Sequence, residues 1–125
     1  GCTGMIWGAV NFMPHECVKL FNLIEEKKYQ EAMDLWKLME PVCLWLGGNR
    51  HDVDYLTGIK AASNLSGREM GPPRKPLPNV AAPARHDLRI AMSKLPINHT
   101  TNNRLVWRDW QEEKDWLIQS SIKRN

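Results

Sequence analysis

Apolar positions fall into two rhythms along this chain. From Met5 to Val10 they form an unbroken run, Met-Ile-Trp-Gly-Ala-Val, after Gly1 and Gly4 and before Asn11 and Pro14. A short continuous apolar run of this kind suits a strand covered on both faces. Beyond it the spacing changes to three and four. Pro14 fits the first position of a helix, where a missing amide hydrogen costs nothing, and Glu16 favours the positive end of the helix dipole. Cys17, Leu20, Phe21, Leu23 and Ile24 supply the apolar face of this helix, which the charged cluster Glu25-Glu26-Lys27-Lys28 closes in solvent. A second helix is predicted from Tyr29 to about Leu46, with Ala32, Leu35, Trp36, Met39, Val42, Cys43 and Leu46 in one stripe and Gly47-Gly48-Asn49 as its stop. Pro41 removes a hydrogen bond and crowds the preceding turn, so a kink near Lys37 to Pro41 is expected rather than two helices.

A shorter helix is predicted over Asp52 to Asn64, with Val53, Leu56, Ile59 and Ala62 or Ser63 on one side and Ser66-Gly67 at its end. Regular structure then stops. Met70 to Pro83 holds Gly71-Pro72-Pro73, Lys75-Pro76 and Leu77-Pro78, a composition suited to an extended connection across a surface. Pro83 opens a fourth helix, whose apolar face is Leu88, Ile90, Ala91 and Leu95 before Pro96. Asn98 to Asn103 is polar turn material, and Leu105 to Ile118 is a candidate amphipathic helix carrying Trp107, Trp110 and Trp116, followed by Lys123-Arg124. A lone parallel strand leaves its backbone donors and acceptors without partners. The remaining strands are therefore expected elsewhere, upstream in a parent chain or in another molecule. A first residue of Gly rather than Met fits a truncated or processed product, or a removed initiator methionine.

The chain has 125 residues, 42% hydrophobic and 25% charged, which bounds it to one modest domain. A net charge of +3 is too small to argue for nucleic acid by itself. Arg68, Arg74, Lys75, Arg85 and Arg89 lack interleaved aromatic residues, so a solvated face is expected there and no nucleic-acid partner. No apolar run reaches the length of about 18 residues that a membrane span needs, and no basic region precedes an apolar core at the N-terminus. A cytoplasmic location and no membrane partner are expected, and the acidic Asp109, Glu112, Glu113 and Asp115 argue against anionic lipid as a target of the Trp-rich tail. Cys2, Cys17 and Cys43 are odd in number and widely spaced among apolar neighbours, the pattern of reduced, buried thiols. His15, His51, His86 and His99 share no ligand spacing with them, so no metal and no cofactor is expected. Asn64-Leu-Ser66 and Asn98-His-Thr100 match the glycosylation sequon, which carries no weight in a cytoplasmic chain.

An ordered set of motifs resembles one family. Gly1-Cys-Thr-Gly-Met-Ile-Trp-Gly with Asn11 and Pro14 resembles an eighth barrel strand; Tyr29-Gln-Glu-Ala32 resembles the start of the following helix. Ile59-Lys-Ala-Ala through Gly71-Pro-Pro-Arg-Lys-Pro-Leu-Pro78 resembles a closing helix and proline-rich connection. Together, over roughly residues 1 to 97, they are similar to the C-terminal part of the dihydrodipicolinate synthase and N-acetylneuraminate lyase superfamily of Schiff-base aldolases and dehydratases. The resemblance implies an α/β fold, here the C-terminal fragment of a (β/α)8 TIM barrel plus a C-terminal helical domain, mostly α as it stands. The implied divisions are 1–28 for the last barrel strand and helix, 29–97 for the helical domain with its connection at 70–83, and 98–125 for a tail that matches nothing in the family.

The resemblance also implies a chemistry: a lysine condenses with pyruvate or another 2-oxo acid, and a tyrosine relays protons. In the family both residues precede the eighth strand, so no catalytic residue is expected in this chain, and a complete barrel needs about 250 residues. The chain alone is expected to be inactive, and the intact parent is expected to be a homo-oligomer, commonly a tetramer. Thr57-Gly-Ile-Lys60 superficially resembles the stretch around the Schiff-base lysine, but Lys60 follows two long helices instead of preceding the eighth strand, and a surface helix lysine is expected. The resemblance assigns substrate contact to Ile6 and, on the same side two positions on, to Gly8. Trp7 is a third candidate for the substrate pocket, with packing against the first helix as its competing role. Asn11 is expected to be structural, capping that helix or bonding across the barrel rim. The alternative reading is a non-catalytic helical interaction module or inactive truncated product; a lysine-bearing strand upstream in the parent gene separates the two.

Overall fold

In the computed structural model, which describes residues 2–47, 52–95 and 114–123, four helices follow one another: α1 (Pro14–Glu25), α2 (Tyr29–Gly47), α3 (Tyr55–Leu65) and α4 (Ala82–Met92). A further helix, α5, covers 114–122. The architecture is mostly α, with no strand among the described residues. The run Met5 to Val10 is therefore corrected. Trp7 is extended at φ −147° and ψ 129°, but the chain then coils into a 3₁₀ turn, Gly8–Asn11. Physically, a strand is defined by its ladder, and among the described residues no second strand lies beside this one. Its end instead finds local partners: Asn11 Nδ2 donates to the Gly8 carbonyl at 2.9 Å, and the Phe12 and Met13 amides donate to the Ala9 carbonyl at 3.1 and 3.0 Å.

Each helix boundary has a local cause. Pro14 lies in the first turn of α1, and Met13 at the N-cap offers no side-chain bond, so Asn11 does not cap this helix. The charged cluster after α1 also makes its stop. Lys27 adopts the left-handed conformation at φ 59°, its amide donates to the Ile24 carbonyl at 3.0 Å, and the Lys28 amide donates to the Leu23 carbonyl at 2.8 Å. That is a Schellman ending built on lysine instead of glycine. α2 runs as one helix with Pro41 inside it. α3 begins at Tyr55, later than Asp52, because Asp54 is the cap: its carboxylate accepts from the Leu56 amide at 2.9 Å and the Thr57 amide at 3.2 Å, while Thr57 Oγ1 donates to the Asp54 carbonyl at 2.9 Å. Gly67, at φ 83°, ends α3 with a second Schellman motif, in which the Arg68 amide donates to the Ser63 carbonyl at 2.9 Å.

α2 touches α1, α3 and α4, and the core forms around it. Phe12 and Met13, Cys17 and Leu20 of α1, Met39 and Val42 of α2, Ala62 of α3, and Leu88 and Met92 of α4 belong to one buried cluster. Gly58 brings α3 close to α2, against Trp45 and Leu46. The proline-rich connection is tied back to α3 at two points: Lys60 Nζ donates to the Met70 and Pro72 carbonyls at 3.3 and 3.2 Å, and Asn64 Oδ1 accepts the Met70 amide at 2.8 Å. Trp116 of α5 has its ring 6.0 Å from that of His86 on α4. Gly1, Gly48, Asn49, His51, Pro96, the 98–103 turn, Trp107 and Trp110 lie outside the described residues. Among the described residues no helix is long and apolar enough to cross a membrane.

The cysteines divide. Cys17 is buried and Cys43 half-buried, but Cys2 is exposed, a correction to the expectation of three buried thiols. Burial, reinforced by the Glu16 carboxylate, pushes the Cys17 thiol up to about 11 from 9.0. Burial first, then the neighbouring Cys17, pushes Cys43 to about 11. A raised folded-state value means that the native state holds the proton more tightly than the unfolded chain does. The associated stability is therefore complete below pH 9.0 and is withdrawn as the pH rises towards about 11. Denaturant midpoints across that interval should fall more steeply for the native chain than for the Cys17→Ala, Cys43→Ala double variant; parallel pH profiles would contradict this assignment.

Candidate functional site

The three candidate residues stand on two sides of one short segment. Trp7 is half-buried against the core, and its ring lies 6.3 Å from that of Trp36 on α2 at an interplanar angle of 34°. A tilted pair at that spacing is a favourable aromatic arrangement. Ile6, one residue earlier, points away from the helices and is fully exposed, with Met5 half-exposed before it. Extended backbone alternates sides, so Trp7 on the helical layer obliges Ile6 to face outward. Gly8 does not rejoin Ile6. The 3₁₀ turn begins there, and a methyl built on Gly8 would run into Ile59 Cδ1 and lie 2.7 Å from Tyr55 Oη, both on α3.

Sequence reading missed Tyr55 and Ile59 as neighbours of this segment, which lie some fifty residues further along the chain. The available signal was partial: Ile59 falls on the apolar face of α3, and Asp54 is a good cap residue, which fixes Tyr55 as the first helical position. Lys60 is half-exposed on α3, and its ammonium group is engaged by two backbone carbonyls of the connection. A donor held in that way serves as a clamp, in keeping with a structural lysine.

An open groove of about 560 Å³ lies elsewhere, lined by Pro14, His15, Val18, Lys19, Asn22 and Leu23 of α1 and by Glu26 just after it. It includes none of the three candidates. Among the described residues no group of three His, Cys, Asp or Glu side chains is placed to hold a metal ion.

Comparison with known proteins adds what geometry alone does not. Over 100 aligned residues, covering 76% of this chain, it is 31% identical to an uncharacterized DapA-like lyase of Pyrobaculum arsenaticum. A DapA-like lyase of Pyrobaculum aerophilum is also 31% identical over the same share, and one of Pyrobaculum islandicum 28%. These relatives support the dihydrodipicolinate synthase-like superfamily for this chain. It spans about a third of the length of these curated relatives. No family model matches the chain. No solved structure matches it either. The ordered motifs from Gly1 to Pro78 resemble the same superfamily, and the names of the relatives agree with that resemblance.

Proposed function

We propose that this chain is part of a lyase that acts on pyruvate or another 2-oxo acid through a lysine Schiff base. Its similarity, over three quarters of its length, to a third of the length of DapA-like lyases carries the reading. The reaction begins when a lysine amine attacks the ketone carbon of the 2-oxo acid and water leaves, giving an iminium ion. Loss of a proton from the adjacent carbon gives an enamine, whose carbon is the nucleophile for condensation; the reverse sequence cleaves the carbon–carbon bond. In this reading residues 1–28 belong to the end of a (β/α)8 barrel, 29–97 form the helical layer packed outside it, and the parent assembles as a homo-oligomer.

The two-sided segment supports the assignment. Trp7 faces the helices and Ile6 faces the open side, the arrangement that a barrel strand needs if Ile6 is to present an apolar wall to substrate. Trp7 and Gly8 then serve the helical side.

The test is reductive trapping. The product of the complete gene is incubated with pyruvate and sodium borohydride, and intact mass is read for one reduced pyruvyl group. An adduct on the unmodified protein supports the proposal and its absence overturns it; an adduct that is lost in Lys60→Ala overturns only the assignment of Lys60 as a surface lysine. A second reading, a helical module without catalysis, draws on the shared core that runs from Ala9 to Leu95. Cooperative unfolding of the 125-residue chain, together with no trapping in the complete gene product, selects it.

A further inference from the structure

We infer that Tyr55 is a positioning residue for the substrate wall: seated where a side chain at position 8 would have to go, it fixes the bend after Trp7 and so sets where Ile6 stands. The inference rests on the reading above of Ile6 as the substrate-facing residue. Three observations carry it. The place of Tyr55 is set by the Asp54 cap, whose carboxylate holds the Leu56 and Thr57 amides and whose carbonyl accepts from Thr57 Oγ1. From there its hydroxyl reaches Gly8, where an added methyl would be only 2.7 Å away, while Ile59 Cδ1 closes the same space from the next turn of α3. Finally, Gly8 is where extended backbone becomes 3₁₀ turn, and the Asn11 side chain fastens that turn by its bond to the Gly8 carbonyl at 2.9 Å. Ile6 is two residues upstream, next to Trp7, whose carbonyl accepts the Val10 amide at 3.2 Å as part of the same turn. The helical layer thus sets the position of the wall through Tyr55, with Ile59 beside it. Such an arrangement explains why glycine stands at position 8 without any appeal to ligand: the room is taken by Tyr55 and Ile59.

The experiment is a cycle of Gly8→Ala, Tyr55→Phe and the double variant in the complete gene product, read as KM and kcat for pyruvate. Gly8→Ala is expected to raise KM about tenfold, because a displacement of order 1 Å at a binding wall is enough for losses of that size, with kcat changed far less. Tyr55→Phe removes the oxygen that the new methyl meets but leaves Ile59 Cδ1 in place, so the double variant should recover part of that loss and not all of it. If the methyl instead enters the substrate pocket directly, Tyr55→Phe gives no recovery, and the inference fails. It fails equally if Gly8→Ala lowers the melting temperature while leaving KM unchanged. Absence of any borohydride-trapped pyruvate in the unmodified protein would sink the reading of the lyase itself, and that outcome is separate from the result of the cycle.

Discussion

Phe12→Ala should lower the unfolding free energy of this chain by about 3–5 kcal/mol. Phe12 is 1% exposed and sits between the 3₁₀ turn and α1, among the largest fully buried side chains of the core. Removing its ring forfeits the transfer free energy of the lost carbons and leaves a void that the surroundings fill only in part. Met13, Met39 and Met92 share the cluster, and their unbranched side chains lean into gaps, which places the result towards the lower end of the range. Backbone geometry opposes such relief, because the Phe12 and Met13 amides both donate to the Ala9 carbonyl and hold the segment in place. Urea denaturation of the variant checks the value, with Ile6→Ala as a control on the exposed side of the same segment. A loss below about 1 kcal/mol for Phe12→Ala would mean that the N-terminal segment is a flap and not part of the core.

Gly58→Val is expected to cost about 2–3 kcal/mol, and two effects compete in setting its sign. Glycine inside a helix is unfavourable by about 1 kcal/mol relative to alanine, and valine recovers only part of that because its branched carbon is stiff in a helix. Against this gain stands the contact with α2. A first added carbon would lie 2.9 Å from Leu46 Cδ2, 3.0 Å from Trp45 Cζ3 and 3.5 Å from Val53 Cγ1. Leucine's methyl end has some freedom to rotate, whereas the edge of a buried indole has little, so α3 must back away from α2. Two further methyl groups enlarge the mismatch, and overpacking outweighs propensity. Thermal melting of Gly58→Ala and Gly58→Val checks the ordering: alanine should be mildly destabilising and valine clearly more so, and a valine variant as stable as the parent would show that the helices are not in close contact there.

Helices were legible in the sequence wherever spacing and punctuation agreed. Pro14, Tyr29 and Gly67 mark boundaries found in the structure, and the stripe from Ala32 to Leu46 is the buried side of α2. The start of α3 was less legible because Asp52 and Asp54 are equally suitable caps by type, and only side-chain geometry chooses Asp54. The six apolar residues Met5 to Val10 were ambiguous for a deeper reason. A short run without alternation fits a buried strand or a buried turn, and the choice depends on whether a neighbouring strand supplies hydrogen bonds. The left-handed Lys27 was hidden because lysine rarely adopts that conformation. Within the candidate site, the opposed directions of Ile6 and Trp7 follow from alternation, whereas Gly8 breaks the rule as the backbone turns, and Tyr55 approaches it from far along the chain, which no local pattern encodes.

Because the buried cluster begins at Ala9, gathers residues from α1 to α4 and has Trp7 packed against it, a covalent seam that spares this bundle lies ahead of Trp7. Gene fusions, duplications or breaks that fall there would hand on the helices as an intact unit, whereas a junction a few codons later would remove Phe12 and Met13 from every descendant. Packing alone thus gives recombination a preferred crossover point.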